Sequence, residues 1–177
     1  MANPATFAET FAPVKTQTDA IMLSMAGEPT LCALNYHSKE TREKTLAVLK
    51  LNISALDRFL HLKNPLSIDE VNFISEQIVE EFGRALTFAD IHLVIKNAKA
   101  GKYGKLYERL SAPDILDWFR NYYDKRLDAA YELNRQQDKE RYAAISSMGA
   151  EGDKNLARLG YCITKDGDGN LCLRPDP

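Results

Sequence analysis

The sequence predicts an all-α protein, a compact bundle of about four or five helices with a long C-terminal helix and a small terminal β-hairpin. Through most of the chain, apolar residues recur at steps of three and four, the spacing that lines one face of a helix. Ser and Thr stand at the starts of several such runs, as helix caps do. Only the last segment changes to short apolar runs around a glycine-rich turn, which is typical of a hairpin.

The N-terminal third of the sequence predicts a flexible arm followed by two helices. Residues 1–14 are small, polar and proline-containing, so we expect a flexible arm there, followed by a helical domain over residues 15–149. A short helix is expected over about residues 15–26. A longer one should begin at Ser38 and end near Leu62. Its inner stripe is Leu46, Leu49, Ile53, Leu56 and Leu60.

The middle of the chain predicts two further helices. Ser67 and Glu70 form a capping box before an apolar run. That run places four residues on one face: Val71, Ile74, Ile78 and Phe82. Thr87 is expected to cap the next helix, which Gly101 should end. Its inner stripe is Phe88, Ile91, Val94, Ile95 and Ala98.

The C-terminal third predicts one long helix and then the hairpin. Ser111 and Asp114 mark a helix start, and the helix could run as far as Met148. Its second half is almost wholly polar, so we expect it to face solvent or a partner. Gly149–Asp153 is expected to break the helix, and residues 150–177 to form a linker and the hairpin.

One locally basic segment carries the main functional prediction. The run from Lys96 to Arg109 has a balance of +4, in a chain whose net charge is −2. Cations interleaved with tyrosines are what phosphate neutralisation and base stacking require. The expected nucleic-acid-binding residues are Lys96, Lys99, Lys102, Tyr103, Lys105, Tyr107 and Arg109. The alternative is a helix end whose lysines complement the helix dipole, followed by a solvated loop.

An aromatic cluster on the long helix is a second candidate. Trp118, Tyr122 and Tyr123 could form an exposed protein-interaction site. The alternative is that these aromatic side chains supply buried core area, as they do at helical spacing.

Several other kinds of site are not expected. The sequence has no nucleophile elbow, P-loop or Rossmann fingerprint, so it predicts no enzyme and no cofactor. His37, His61 and His92 lie on separate elements, and the partial EF-hand pattern from Asp166 fails at Leu171, so no metal site is predicted.

The three cysteines are expected to be reduced thiols, with a Cys162–Cys172 disulfide as the less favoured alternative. With no signal peptide or membrane span, a cytoplasmic protein is expected.

The stretch GKYGKLYERLSAPDILDWFRNYYDKR, with the preceding LTFADIHLVIKNAKA, resembles small helical proteins of bacteriophages and integrative elements of gut anaerobes. Some of these look like replication accessory proteins. The pattern of Tyr107, Ile115 and Trp118 is also faintly similar to the helical module of DnaD-type primosome proteins. The resemblance covers about residues 86–130 and implies a role at a replication fork.

These observations lead to one preferred function and two alternatives. The preferred one is a non-enzymatic replication accessory protein of a phage or mobile element, which binds single-stranded or forked DNA, a helicase, or both. It would act in the bacterial host cytoplasm, without a membrane, and a homo-oligomer is left open. The alternatives are a protein-binding adaptor, such as a host-takeover or anti-defence factor, and a virion structural component.

Overall fold

The computed structural model describes residues 4–104, 109–165 and 171–175, and in these ranges the protein is predominantly α-helical, as predicted. The helices, in chain order, are α1 (Pro4–Thr10), α2 (Gln17–Met25), α3 (Leu31–His37), α4 (Lys39–Leu60), α5 (Ile68–Phe82), α6 (Phe88–Lys99) and α7 (Ala112–Arg158). Two antiparallel strands follow, β1 (Tyr161–Lys165) and β2 (Leu171–Pro175). The described helices number seven rather than four or five, because two short ones were not predicted. Helix α1 lies where a flexible arm was expected, and α3 is too short to predict from spacing.

Local capping explains where the helices begin. The hydroxyl oxygens of Ser38 and Ser67 accept hydrogen bonds from backbone N–H groups three residues on, as predicted. The backbone N–H of Thr87 donates to Asp90 at 2.8 Å, and that of Ser111 to Asp114 at 3.1 Å. Each contact satisfies a backbone group that a helix start would leave unpaired, which stabilises the start by about 1 kcal/mol.

The hydrophobic core joins α4, α5, α6 and the first part of α7. Its most deeply buried side chains include those predicted from helical spacing, among them Leu49, Ile74, Ile78, Ile91, Val94 and Ile115. This core lies within Met1–Ala130, which forms one compact unit of the chain. Tyr131–Pro177 forms the second unit.

The N-terminal segment is not a flexible arm in residues 4–14. Phe7, Phe11 and Val14 are buried in the core, and Phe7 packs edge-on against Phe88 with ring centroids 5.8 Å apart. The prediction was wrong because the polar neighbours and prolines concealed three apolar residues at steps of four and three. That is itself helical spacing.

The predicted break near Gly149 is absent. Helix α7 continues through Gly149 and Gly152 to Arg158. Glycine lowers helix stability by about 1 kcal/mol without forbidding a helix. The boundary between the two compact units therefore falls inside α7, between Ala130 and Tyr131, and not at residue 149.

The predicted terminal hairpin is present, and its register separates the two cysteines. Cys162 faces Arg174 and Cys172 faces Thr164, so the thiols are diagonal neighbours and both are free. Directly facing positions are the ones close enough for a disulfide. Residues 166–170, with the partial EF-hand pattern, lie outside the described residues.

Candidate functional site

The three predicted lysines at the end of α6 are exposed. The inner face of α6 is buried through Ile91, Val94 and Ala98, so the remaining positions Lys96 and Lys99 point to solvent. Lys102 is exposed in the turn that follows. Within the described ranges, none of these lysines lies within ion-pair distance of a carboxylate.

Lys99 also contacts an aromatic ring, since its ammonium nitrogen lies 5.2 Å from the centroid of Phe59. Phe59 is itself about half exposed. A cation over an exposed ring gains about 0.5–1 kcal/mol and keeps its charge available to an anion.

Arg109 is held by a carboxylate. Its guanidinium forms an ion pair with Glu70, the acidic member of the α5 capping box. Hydrogen bonds from the backbone N–H and hydroxyl of Ser67, together with Arg109, hold the pKa of Glu70 below its usual range. The charge of Arg109 is therefore balanced locally, which removes it from the set of unpaired cations that the sequence predicted.

Tyr103 packs against another aromatic residue rather than standing free. Its ring is stacked on Trp118 with centroids 5.2 Å apart and planes 10° apart. Burial raises the pKa of Tyr103 to about 12, while the nearby Asn97 side chain acts in the opposite direction. One face of the ring is thus occupied and unavailable to a base. The predicted contacts Lys105 and Tyr107 lie outside the described residues.

The aromatic cluster on α7 belongs mainly to the core. Trp118 and Tyr122 are 6% and 3% exposed, and Tyr123 is half-buried against Phe82, with ring centroids 5.8 Å apart. The alternative of core packing therefore describes Trp118 and Tyr122, and as folded neither is an exposed anchor for a partner.

Tyr122 is part of a buried polar network that the sequence did not reveal. Its hydroxyl donates to Asp90 Oδ1 at 2.7 Å, and Arg126 Nε donates to the same oxygen at 2.8 Å. Burial and the Asp90 carboxylate raise the pKa of the Tyr122 hydroxyl well above its usual range. Asp90 is fully buried, so we assign this network to structure rather than to chemistry on a substrate.

The fold adds two lysines that the sequence left apart from the basic segment. Lys15 and Lys125 line the same cavity as Lys102, with a volume of about 260 Å³. Amide side chains from three residues, Gln17, Asn97 and Asn121, also line it, and its described walls include no carboxylate. The amide nitrogens of Gln17 and Asn121 already donate to the backbone carbonyls of Tyr122 and Asp117. The three lysines around one cavity are therefore the feature that favours an anion.

We use the name lysine surface for two groups of exposed lysines that border α6. Lys15, Lys102 and Lys125 line the cavity just described, and Lys96 and Lys99 line a second depression formed by residues of α1, α4 and α6. No spacing rule could have joined Lys15 and Lys125 to the others. They come from the segment before α2 and from α7, and only tertiary packing brings them to α6.

In the parts of the chain that the structure describes, His, Cys, Asp and Glu side chains form no group of three or more that could hold a metal ion. No helix in those ranges combines the length and apolar character needed to cross a bilayer.

Comparison with known proteins adds no relative. No family model, curated protein or solved structure matches this chain. The resemblance to phage and mobile-element proteins therefore stays a prediction.

Proposed function

We propose that this protein is a non-enzymatic accessory protein that binds single-stranded or forked DNA through the lysine surface. The observation that carries the proposal is that two groups of exposed lysines border α6, three around one cavity and two around another, on a chain of net charge −2. In the described structure none of the five is ion-paired with a carboxylate. Replication at a fork is the setting that the sequence resemblance favours. The polar second half of the long helix would engage a helicase or a second copy of the chain.

The helix dipole accounts for only part of this surface. Lys96 and Lys99 lie in the last turn of α6, where cations complement the dipole. Lys15 and Lys125 belong to other segments, so that explanation does not extend to them. Their presence beside Lys102 favours a surface that binds an external anion. Flexible single-stranded DNA can bring successive phosphates to both groups of lysines.

A titration with a fluorescent single-stranded oligonucleotide tests this function. If about four phosphates are neutralised, the affinity should fall roughly 50-fold between about 50 and about 200 mM salt. Reversing the charge of Lys15, Lys102 and Lys125 to Glu should abolish the binding that remains at low salt, while helix content by circular dichroism stays unchanged.

The matched control reverses Lys39, Lys63 and Lys154, which are exposed and lie outside the lysine surface. It changes the net charge equally, so it should weaken binding far less. Equal losses in the two triple variants would mean that only overall charge matters, and the assignment to this surface would then be wrong.

A second candidate function, a protein-binding adaptor, is favoured by the apolar surface of the unit Tyr131–Pro177. Ile163 and Leu173 face each other across the hairpin on the same side as Leu171, and all three are exposed. Tyr142 and Ile145 on α7 are exposed as well. Replacing Ile163 and Leu173 by Asn, which keeps the net charge the same, should leave DNA affinity unchanged. It should abolish any concentration-dependent self-association seen by light scattering, the property that a virion component would also show.

A further inference from the structure

A second depression beside α6 has mainly apolar walls. Phe7 and Ala8 of α1, with Ala12, form one side, and Ile95 of α6 forms the other. The volume is about 370 Å³, within the range of small-molecule sites. Lys96 and Lys99 also line it, so cationic groups stand beside an apolar floor.

The floor also holds polar groups from two helices. His92 Nε2 is buried, and no hydrogen-bond partner for it exists within the described part of the chain. The neighbouring Asn52 is 5% exposed, and its amide nitrogen donates to the Val48 carbonyl at 2.8 Å. Burial, with the charges of Lys96 and Lys99, lowers the pKa of His92, so its ring is neutral near pH 7.

We propose that this depression binds a small amphipathic anion, a medium-length unbranched carboxylate. The hydrocarbon chain would lie on the exposed Ala8 and Ala12, above Ile95, which is 8% exposed. The carboxylate would lie between Lys96 and Lys99. A bare phosphate has no apolar part to place against these walls, and a neutral hydrocarbon has no charge to interact with the two lysines.

A nucleotide base fits these walls less well than an alkyl chain. A base brings several donors and acceptors that lose water on entry, and in the described lining only Asn52 and His92 offer uncharged polar side chains to replace that water. The carboxylate site goes beyond the proposed DNA binding. The two proposals share Lys96 and Lys99, but the apolar walls have no part in phosphate contact.

Calorimetric titration of the full chain with octanoate and decanoate, both below their micelle concentrations, tests the site. Both should bind saturably, with affinity rising roughly fourfold per added methylene until the cavity is filled. Acetate should show no saturable binding, and octanol should bind at least about tenfold more weakly than octanoate because it lacks the charge. Absence of saturable binding, or equal binding of octanol and octanoate, would overturn the proposal.

Two sets of variants locate the ligand. Ala8→Phe fills the depression and should abolish octanoate binding, whereas Thr6→Phe, an exposed change on α1 outside the lining, should not. Lys96→Gln with Lys99→Gln should weaken octanoate but not octanol. Thermal melts establish that each variant is folded. If the folded Ala8→Phe variant binds octanoate like the wild type, the site lies elsewhere and the proposal fails.

Two further titrations distinguish the carboxylate from a nucleotide ligand and the carboxylate site from DNA binding. A nucleoside monophosphate that binds more tightly than octanoate would overturn the carboxylate assignment. The Ala8→Phe variant keeps all five lysines, so its DNA affinity should equal that of the wild type. If the Ala8→Phe variant loses octanoate binding but keeps DNA binding, the carboxylate site is supported. If the wild type does not bind DNA, only the proposed function is overturned.

Discussion

Asp90 is the residue with the densest set of buried polar contacts in the described structure. Its Oδ2 accepts from the backbone N–H and hydroxyl of Thr87, and its Oδ1 accepts from Tyr122 and Arg126. One carboxylate thereby caps α6 and joins it to α7. The Asp90 carboxylate also affects the pKa of Glu28. Burial raises the pKa of Glu28, the Ala89 backbone N–H acts against the rise, and Asp90 adds to it.

Replacing Asp90 by Ala should lower the free energy of unfolding by about 3–5 kcal/mol, because the guanidinium of Arg126 would be left buried without its partner. Urea denaturation measures this loss. Asp19→Ala, which removes only an exposed capping carboxylate, is the control and should cost about 1 kcal/mol. Similar losses for the two variants would show that the buried network adds nothing beyond capping.

His92 should make stability depend on pH below neutrality. Because its folded-state pKa lies below the usual 6.5, the unfolded chain takes up the proton first. Stability contributed by the neutral ring is therefore present above pH 6.5 and is lost as pH falls from there toward the folded-state pKa. Between about pH 7 and pH 5, wild-type unfolding free energy should fall more than that of His92→Gln.

The comparison between the two proteins isolates His92 from other groups. The carboxyl groups of Asp19, Glu40 and Glu70 have lowered pKa values, so the stability that they contribute is lost only in more acidic solution. The pKa of Glu28 is raised, so its contribution to stability changes with pH in the opposite direction. All four are shared by both proteins and cancel in the difference. Parallel pH curves for wild type and variant would contradict the role given to His92.

At the scale of elements, local sequence signals placed most helices and the hairpin correctly. Ser38, Ser67, Thr87 and Ser111 stand at the starts that they predicted, because a cap acts within three residues of itself. The N-terminal segment was missed, since its helix is only seven residues long. So short a helix depends on packing against the core rather than on its own propensity.

Helix α1 should therefore behave as core. Phe7→Ala is expected to lower the free energy of unfolding by about 3–5 kcal/mol, as removal of a buried aromatic side chain does. Chemical denaturation is the measurement, with the exposed Thr6→Ala as the matched control on the same helix. A flexible arm would give no difference between the two variants.

At the scale of the whole molecule, the core and the lysine surface lie in one compact unit, Met1–Ala130. The unit Tyr131–Pro177 carries exposed apolar residues on its helix and hairpin. This division separates the two candidate functions along the chain, with anion binding in the first unit and contact with a protein in the second.

A chain that ends after Ala130 should keep cooperative unfolding and the oligonucleotide affinity of the full protein, because it retains the whole core and all five lysines. Denaturation and the fluorescence titration measure the two properties. The opposite truncation, Tyr131–Pro177, should show no DNA affinity at the same salt. Loss of DNA binding in the first fragment would move the interface into the second unit.

The sequence by itself determined the helical class, most caps, the inward faces of the main helices and the terminal hairpin. Each of these follows from interactions within a few residues, which spacing and residue type reveal. Tertiary structure alone decided that Phe7 is buried, that Arg109 is paired with Glu70, that Tyr103 lies against Trp118, and that Lys15 and Lys125 join Lys102. These contacts join segments far apart in the chain, so they depend on how helices pack and not on what forms them.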